Sequence, residues 1–483
     1  MLYDELRITP AVNASGKMTA LGGSRLSESV TAAMTEAGTG HVVMADLLAA
    51  AGRDIARATG TEDACVTTGA AAGVAVAVAA LVAGTDPARI EALPDALGHP
   101  DEVVLQKGHA VHFGAPVTQM VRLGGGRPVE VGAANKVTAA HLAAAVTPRT
   151  VALLYVQSHH AVQKGTVPLA EMIAVGREHG VPVIVDAAAE EDLRRWPATG
   201  ADLVVYSGGK AIGGPTSGII CGSAALVAAC RAQSGGIARP MKVGKETVLG
   251  LVRAVRDHAA RAAGQPAEGG AQQTRMAALA DRLGALPGLT ARVVQDDAGR
   301  DIHRTEITVD PGGAGLTAVE LARSLAAGSP PVFLRDHHAA SGRLAVDPRP
   351  LDPAEEQQLE RRIAEVLAAA SGDGAPGAGQ PAAGTGTDGS AGGCERRLLV
   401  TEPAGLHARP AAAFAQAAAR GGVKVVVHRA DDGRSAAAHS VLGLMSLNIR
   451  RGEEIVLRVE GEAGEAARHL LDELGAIAAP GTD

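Results

Sequence analysis

Residues 181–218 read VPVIVDAAAEEDLRRWPATGADLVVYSGGKAIGGPTSG, and this stretch decides how the first part of the chain folds. It contains two apolar runs of strand length. Asp186 ends the first run, and Lys210 follows the second run inside a turn with a glycine pair on each side. Because glycines allow sharp turns, this setting favours a lysine held in place over an exposed turn lysine. The stretch therefore predicts two strands that end in a carboxylate and an amine.

Strand-like and helix-like segments alternate from residue 60 to residue 220. This alternation predicts a doubly wound, mostly parallel α/β sheet with right-handed crossovers. Ligands of such sheets bind at the carboxyl ends of the strands. The polar residues at predicted strand ends are Thr68, His109, Ser158, Asp186 and Lys210. We therefore expect these five residues to surround one pocket, although His109 alone would fit a solvated loop equally well.

The segment TTGAAAG, residues 67–73, joins a short strand to a long Ala/Val helix. Small residues let the backbone approach an anion, and a helix N-terminus offers free N–H groups and a positive dipole end. This is a candidate phosphate site without the GxGxxG pattern of a dinucleotide fold. Together with it, a carboxylate for a pyridinium nitrogen and a lysine for a Schiff base are the groups that pyridoxal 5'-phosphate requires. Burial and nearby cations would lower the pKa of Lys210, which suits imine formation and proton abstraction.

The composition limits the class of protein. A length of 483 residues predicts two to four domains, and a net charge of −7 argues against a dedicated nucleic-acid surface. The longest apolar run, residues 70–83, is shorter than a membrane span, and residues 1–17 contain no apolar stretch of the kind found in a secretory signal. The four cysteines show no CxxC spacing, so we expect structural thiols in a reducing cytoplasm and no metal site.

Pattern and composition divide the chain into four parts. Residues 1–265 hold the predicted sheet, and residues 266–370 show the alternating helices and strands of a small α+β domain. Residues 371–394 consist mostly of Gly, Ala, Pro, Ser and Thr, which predicts a flexible linker. Residues 395–483 return to strand and helix patterns and are predicted to form a separate domain.

The last part contains GLHARPAA at residues 405–412, which places His407 at the start of a helix with Arg409 in the first turn. An imidazole there can accept a phosphoryl group whose oxygens meet free helix N–H groups and an arginine. With HSVLGLMSL at residues 439–447, this part resembles the HPr family, the histidine phosphocarriers of the sugar phosphotransferase system. The resemblance implies an open-faced α+β sandwich, phosphorylation of His407 by Enzyme I, Arg409 as the anion partner, and Ser440 at the regulatory serine position. His439 stands where the family usually has lysine.

Residues 1–370 resemble the selenocysteine-synthase-like family of fold-type I pyridoxal-phosphate enzymes and, within it, the D-glucosaminate-6-phosphate ammonia-lyases. The segments that carry the resemblance are VNASGKMTALGGS, TTGAAAG, LQKGH, QSHHAVQKG, VDAAAEEDL, YSGGKAIGGPTSG and RPMKVGKE. The resemblance implies Lys210 as the Schiff-base lysine and Asp186 as the partner of the pyridinium nitrogen. It places the cofactor phosphate on Thr68, Gly69 and Ala70, with His109 near the ring.

From this resemblance we expect a lyase that converts a phosphorylated 2-amino sugar acid to a 2-keto-3-deoxy acid phosphate and ammonia. Lys210, or a neighbouring histidine, would take the Cα proton, and a general acid would assist loss of the C3 hydroxyl. Fold-type I sites are commonly built at a dimer interface, so a homo-oligomer is expected. The basic residues considered for the substrate phosphate are Lys17, Arg25, Arg239, Lys242 and Lys245, of which the last three lie in a loop that either binds phosphate or is solvated.

Two other functions are compatible with these residues. The first is another pyridoxal-phosphate reaction on the same fold, such as aldol cleavage or transfer to a dehydroalanine-like intermediate. The pocket motif VNASGK begins at residue 12 and the chain is acidic, so we expect neither a tRNA-binding extension nor seryl-tRNA as the substrate. The second is a phosphorelay or regulatory protein with a degenerate enzyme domain, and intact Asp186 and Lys210 argue against it.

Overall fold

The computed structural model describes residues 2–158, 160–264, 269–296 and 301–371 and, nearer the C-terminus, residues 395–401, 408–420, 424–430, 434–440, 443–444, 447, 449, 452–460 and 465–478. The chain divides into two compact units, Met1–Pro376 and Gly377–Asp483. The finer division into four parts stays a prediction. Within the described residues, none of the helices combines the length and apolar character that crossing a membrane requires.

The described residues of the first unit form twelve strands. In chain order they are β1 (Val12–Ala14), β2 (Asp63–Thr67), β3 (Glu102–Gln106), β4 (Arg127–Val131), β5 (Thr150–Val156), β6 (Val183–Asp186), β7 (Leu203–Ser207), β8 (Gly218–Gly222), β9 (Leu289–Gln295), β10 (His303–Val309), β11 (Val332–Leu334) and β12 (Arg343–Val346).

Helices connect these strands. In chain order they are α1 (Leu2–Glu5), α2 (Glu28–Gly38), α3 (Met44–Thr59), α4 (Ala70–Ala83), α5 (Pro87–Ala92), α6 (Val117–Leu123), α7 (Ala139–Ala145), α8 (Leu169–His179), α9 (Arg195–Ala198), α10 (Ala224–Ala232), α11 (Lys245–Gly264), α12 (Gly269–Gly284), α13 (Pro311–Ala314), α14 (Ala318–Ala326) and α15 (Pro353–Ser371).

Seven strands make one sheet in the order β2-β8-β7-β6-β5-β3-β4. The strands from β7 to β4 pair in parallel, whereas β8 runs antiparallel to both of its neighbours, β2 and β7. The predicted mostly parallel α/β sheet is confirmed. Strands β4 and β8 were not predicted, because β4 includes a proline and β8 is a short apolar run between two glycines.

Both faces of this sheet are covered, which explains why its central strands are continuous apolar runs. Successive residues of a strand point to opposite faces. Ile184 accordingly belongs to one core cluster, and Val183 and Val185 belong to the other. Helix α4 packs on the first face with ten buried residues, and α8 packs on the second. Gly73 lets α4 approach closely, because a Cβ there would lie 2.7 Å from a methyl carbon of Val205.

The C-terminal part of the first unit is the predicted α+β arrangement. Strands β12, β10 and β9 form an antiparallel sheet in that order, and α12, α14 and α15 supply its core. Strand β1 pairs in parallel with β11, with Val12 opposite Val332. Strands β1 and β12 were not predicted from the sequence. The pairing of β1 with β11 brings the VNASGK segment to residues more than 300 positions later in the chain.

The second unit has a four-stranded antiparallel sheet with helices on one side. Its strands are β13 (Glu395–Leu399), β14 (Lys424–Arg429), β15 (Ser435–Ala437) and β16 (Glu454–Glu460), in the order β13-β16-β14-β15, and its described long helices are α16 (Ala408–Arg420) and α17 (Glu465–Ala478). Phe414 of α16 and Leu474 of α17 are fully buried in the core with Leu457 of β16. The predicted α+β class is confirmed. The helix predicted from Ser440 to Leu447 lies largely outside the described residues.

Candidate active site

The carboxyl ends of neighbouring strands bring the predicted pocket residues to one edge of the large sheet. Ser158 follows β5, Asp186 ends β6, and Lys210 follows β7, and these three strands are adjacent. His109 follows β3 on the other side of β5. Parallel strands place their carboxyl ends at the same edge, so this convergence follows directly from the topology.

Asp186 is a buried carboxylate, with 7% of its surface exposed. Its Oδ1 accepts a hydrogen bond from the N–H of Ala188 at 3.1 Å, and its carbonyl accepts one from the N–H of Gln157 at 2.8 Å. Burial raises the pKa of Asp186 to about 6, while the Ala188 N–H and the positive charge of Lys210 act in the opposite direction. An ionised Asp186 is therefore held in a site that disfavours its charge, and a cation bound beside it would relieve that cost.

Lys210 lies in a tightly closed turn. The N–H of Gly208 donates to the carbonyl of Ser217 at 2.8 Å, and a Cβ at Gly208 would lie only 2.1 Å from the Ser217 hydroxyl. The turn is also tied to the segment before α2, because the Ser24 hydroxyl donates to the carbonyl of Lys210 at 2.7 Å. These contacts fix the backbone of Lys210, as the glycine pattern predicted.

The candidate phosphate site lies where β2 meets α4. Gly69 precedes α4, no side chain caps the helix N-terminus, and the Thr67 hydroxyl donates to the carbonyl of Gly69 at 2.9 Å. A Cβ on Gly69 would meet no atom within 4 Å, whereas one on Gly218 would lie 2.4 Å from the Gly69 carbonyl carbon. Strand β8 therefore packs closely against one side of Gly69, and the side to which a Cβ of Gly69 would point is open. Thr68 and Ala70 are its chain neighbours. An uncapped helix N-terminus next to open space suits a phosphate.

His109 is almost completely buried, with 2% of its surface exposed. Its Nδ1 accepts a hydrogen bond from the backbone N–H of Val156 at 3.0 Å, and its ring makes an edge-to-face contact with Tyr155, with 4.6 Å between centroids. Burial lowers the pKa of His109 to about 4. Since Nδ1 accepts a hydrogen bond, the neutral ring carries its proton on Nε2. The structure thus places His109 in the protein interior instead of a solvated loop.

The loop after β5 holds a second histidine. The backbone N–H of His160 donates to the Ser158 hydroxyl at 3.2 Å, and the Ser158 carbonyl accepts from Ala161 and from the Gln163 side chain. Burial lowers the pKa of His160, and the positive charges of His337, Lys210 and Arg335 lower it further. His159 lies outside the described residues. His160 therefore shares the electrostatic environment of Lys210.

Arg335 was missed by sequence reasoning. It follows β11, and its Nη1 donates to the carbonyl of Ser15 at 3.4 Å. Among the described residues no carboxylate lies within 4.0 Å of its guanidinium group. Burial lowers the pKa of Arg335, and the charge of Arg304 adds to that effect. No local pattern marks this residue, because its position depends on the pairing of β1 with β11. A half-buried guanidinium group without a carboxylate partner is suited to bind a carboxylate or phosphate.

A buried charge cluster supports this side of the pocket. Asp347 is fully buried and accepts from Nε of Arg304 at 2.9 Å and from Nε and Nη2 of Arg349 at 2.9 and 2.8 Å. These two arginines hold the pKa of Asp347 well below its usual range despite burial. Arg349 also donates to Glu191 at 3.1 Å, five residues after Asp186 in the chain. The cluster therefore connects β10 and β12 to the loop that follows Asp186.

The five basic residues considered for the substrate phosphate do not share one environment. Lys17 donates to the carbonyl of Ala211, next to Lys210, at 3.3 Å, and burial lowers its pKa to about 8, with Arg349 adding to the effect. Arg25 forms ion pairs with two acidic residues, Asp352 at 3.2 Å and Glu355.

Of the other three basic residues, Arg239 and Lys242 precede α11 and Lys245 is its first residue. Lys245 donates to the carbonyl of Ala37 and pairs with Glu246, both at 2.5 Å. Arg239 and Lys242 are exposed. The structure therefore brings Lys17 to the Lys210 turn, while Arg25 and Lys245 already have partners elsewhere.

The described cysteines are free thiols. Cys65, Cys221 and Cys230 are all buried. Burial raises the pKa of Cys221 to about 12, so this thiol is unreactive and contributes to packing. Cys394 lies outside the described residues.

In the second unit, His407 lies outside the described residues, and Arg409 is described only as part of the backbone of α16. Ser440 is described: its hydroxyl oxygen accepts a hydrogen bond from the N–H of Gly443 at 3.1 Å, and its carbonyl accepts one from Leu444 at 2.9 Å. The roles assigned to these three residues stay predictions.

Comparison with known proteins gives two family matches. Residues 11–263 match the model of L-seryl-tRNA selenium transferase, SelA, and residues 394–477 match the model described as the PTS HPr component phosphorylation site. Both predicted resemblances are confirmed by these matches, and with them pyridoxal phosphate as the cofactor of the first unit.

Three similar proteins match this chain over more than nine-tenths of their own length. A Streptomyces protein named 5'-C-glycyluridine monooxygenase-decarboxylase is 56% identical over 369 residues, which are 76% of this chain and 92% of that protein. The D-glucosaminate-6-phosphate ammonia lyase of Salmonella typhimurium is 42% identical over 365 residues, which are 76% of this chain and 97% of that protein. A solved structure of D-glucosaminate-6-phosphate ammonia-lyase matches with a TM-score of 0.72 and 41% identity, covering 77% of this chain and 99% of that one.

Proposed function

The chain belongs to the L-seryl-tRNA selenium transferase family, and from this premise we propose that its first unit is a pyridoxal-phosphate-dependent ammonia-lyase. Its substrate would be a phosphorylated 2-amino sugar acid similar to D-glucosaminate 6-phosphate, and its products a 2-keto-3-deoxy acid phosphate and ammonia. The observation that carries the proposal is the placement of Asp186 and Lys210 on adjacent strand ends, in a chain that covers 99% of an ammonia-lyase structure.

The pocket fits the cofactor in two respects. The uncapped N-terminus of α4 faces open space at Gly69, which suits the cofactor phosphate. Asp186 is a buried carboxylate that gains a counter-charge when a protonated pyridine nitrogen binds beside it. Thr68, Gly69 and Ala70 would hold the phosphate, Asp186 the ring nitrogen and Lys210 the carbonyl carbon, with His109 and Ser158 beside them. Pyridoxal phosphate supplies an electron sink for the pair of electrons left on Cα when its proton is removed.

Residues of this chain account for proton removal and for substrate binding in the proposed reaction. Lys210 takes the Cα proton, since the amine that holds the cofactor carbonyl carbon is also the base nearest to the Cα atom bound there. The C3 hydroxyl leaves as water, and hydrolysis of the unsaturated amine releases ammonia and the keto acid. Arg335 is suited to hold the substrate carboxylate, and Lys17 is the basic residue best placed for a second anionic group.

The second unit is an HPr-type domain by its family match, and we propose His407 as the residue that Enzyme I phosphorylates. The GLHARPAA motif supports this assignment. A phosphocarrier fused to a sugar-acid lyase would couple the uptake of the substrate to its breakdown, with sugar-specific components of the phosphotransferase system as further partners.

A homo-oligomer and a cytoplasmic location also stay proposals. Several large apolar side chains near the N-terminus are more than half exposed, and an interface between copies would bury them. These residues are Leu2, Tyr3, Leu6 and Ile8. The free thiols of the described cysteines agree with a reducing compartment.

A second candidate function has support from the 56% identity to a monooxygenase-decarboxylase. Such a reaction would consume oxygen and release carbon dioxide from an α-amino acid group, while the ammonia-lyase reaction needs no oxygen. Both begin at Cα and would use the same lysine, so the pocket residues described above are compatible with either.

The test is an assay of the complete protein with a panel of phosphorylated 2-amino sugar acids, measured for ammonia and for 2-keto acid with and without oxygen. We expect equal ammonia release in both atmospheres and none from Lys210→Ala. Oxygen-dependent release of carbon dioxide would select the second candidate. If the wild-type protein gains no visible absorption band with added pyridoxal phosphate, both enzyme candidates are overturned. A phosphorelay or regulatory protein then remains as the function.

A further inference from the structure

Loss of the C3 hydroxyl as water needs a proton, and the donor must stand near Lys210 because C3 is bonded to the Cα that Lys210 deprotonates. His109 does not meet this need. Its Nδ1 accepts the N–H of Val156, so protonation at that atom would break a buried hydrogen bond. Its ring is also almost fully buried. His109 is therefore suited to shape the pocket and not to exchange protons.

His160 has the required position. It lies in the loop after β5, next to the end of β6, and its backbone is held by the Ser158 hydroxyl at 3.2 Å. The charged groups that act on its ring come from two other elements: Lys210 from the turn after β7, and Arg335 and His337 from β11 and the residues after it. Three segments distant in sequence thus meet at one exposed histidine at the edge of the pocket.

We propose that His160 donates the proton to the C3 hydroxyl as it leaves the substrate. The inference rests on the proposed ammonia-lyase reaction. Lys210 gains the proton from Cα, and the electron pair of that C–H bond becomes the second bond between Cα and C3. The C3–O bond breaks with its electron pair on oxygen, and the protonated ring of His160 supplies the proton that completes water and is left neutral. Each turnover therefore leaves one proton on Lys210 and removes one from His160.

The surroundings of His160 make its protonation depend on the substrate. Burial and the three cationic neighbours lower the pKa of His160 in the free protein. A substrate with a carboxylate and a phosphate brings negative charge to the same neighbours and raises this pKa again. We therefore expect the pKa seen in kcat to lie above the one seen in kcat/KM, since the first reports the complex and the second the free protein.

The experiment compares D-glucosaminate 6-phosphate with its 3-fluoro analogue, because fluoride leaves with less help from a proton donor than hydroxide. For His160→Gln we expect a loss of roughly 100-fold or more in kcat with the hydroxyl compound and less than about 5-fold with the fluoro compound. Lys210→Ala should lose both activities. His179→Gln, at an exposed histidine that ends α8, is the matched control and should keep both.

A second measurement does not depend on turnover. In the cofactor-free protein, carbethoxylation followed by mass spectrometry should modify His160 readily and leave His109 unmodified, and His160→Gln should bind pyridoxal phosphate as tightly as the wild type. The inference is overturned if His160→Gln loses both substrates equally or neither, if His160 resists carbethoxylation, or if His337→Gln alone shows the selective loss. Absence of ammonia from either compound with the wild type would instead overturn the proposed function, and this inference with it.

Discussion

Replacing Asp186 by asparagine should stabilise the cofactor-free protein while weakening its hold on the cofactor. Burial raises the pKa of this carboxyl from 3.8 to about 6. Each tenfold change in proton affinity is worth about 1.4 kcal/mol. The ionised Asp186 carboxylate therefore lowers the free energy of unfolding by about 3 kcal/mol. Asparagine has nearly the same shape and keeps an oxygen for the N–H of Ala188, so it should recover most of that energy.

The sign of the pH dependence follows from linkage. Since the folded-state pKa lies above the unfolded-state value, the folded protein holds more protons between pH 4 and 6, and wild-type stability falls as the pH rises through that window. Above about pH 6, Asp186→Asn should therefore exceed the wild type in free energy of unfolding by the full difference of about 3 kcal/mol. Below about pH 4 it should vanish, because the wild-type carboxyl is then neutral in both states.

Trp196 provides the assay, because it is the single tryptophan of the chain and lies buried in the first unit. Urea unfolding followed by its fluorescence between pH 4.5 and 8 reports this unit alone. Glu178→Gln on α8 removes the same charge from an exposed position and is the matched control. Added pyridoxal phosphate should stabilise the wild type more than Asp186→Asn. A variant that is less stable than the wild type at pH 7.5, or a gain that does not depend on pH, would refute the reasoning.

Three further predictions follow from the structure. Gly69→Ala adds a methyl group in open space with an extended backbone, so unfolding free energy should change by less than about 0.5 kcal/mol while the Kd for pyridoxal phosphate rises roughly tenfold; unchanged affinity in an absorbance titration would exclude the phosphate site there. Asp347→Asn removes the buried charge that Arg304 and Arg349 share, while Arg304 keeps Asp296 and Arg349 keeps Glu191, so the unfolding free energy should fall by about 3 kcal/mol in the Trp196 assay; a loss below about 1 kcal/mol would contradict the importance of the cluster. His407→Ala should abolish phosphorylation by Enzyme I with phosphoenolpyruvate, and acid-labile phosphate that persists in this variant would disprove the assignment.

The sequence alone determined the parts of the site that depend on local order. A run of apolar residues, a polar residue at its end and a helix beyond it can be recognised within about ten residues. Parallel strands all end at one edge, so the recognised strands are enough to group Thr68, His109, Ser158, Asp186 and Lys210. The glycines around Lys210 likewise indicated the close contacts that the turn makes with Ser217.

Pairing between distant segments of the folded chain sets which further residues join that edge. Arg335 and His337 reach the pocket because β11 pairs with β1 across more than 300 residues, and short strands of this kind carry no local signal for their partner. The antiparallel β8 is fixed by neighbours on both sides, and its own five residues do not reveal its direction. A single backbone N–H from β5 selects the tautomer of His109, and burial lowers its pKa. Strand ends are set by local sequence, whereas electrostatic environments are set by long-range pairing, and the chemistry of this pocket requires both.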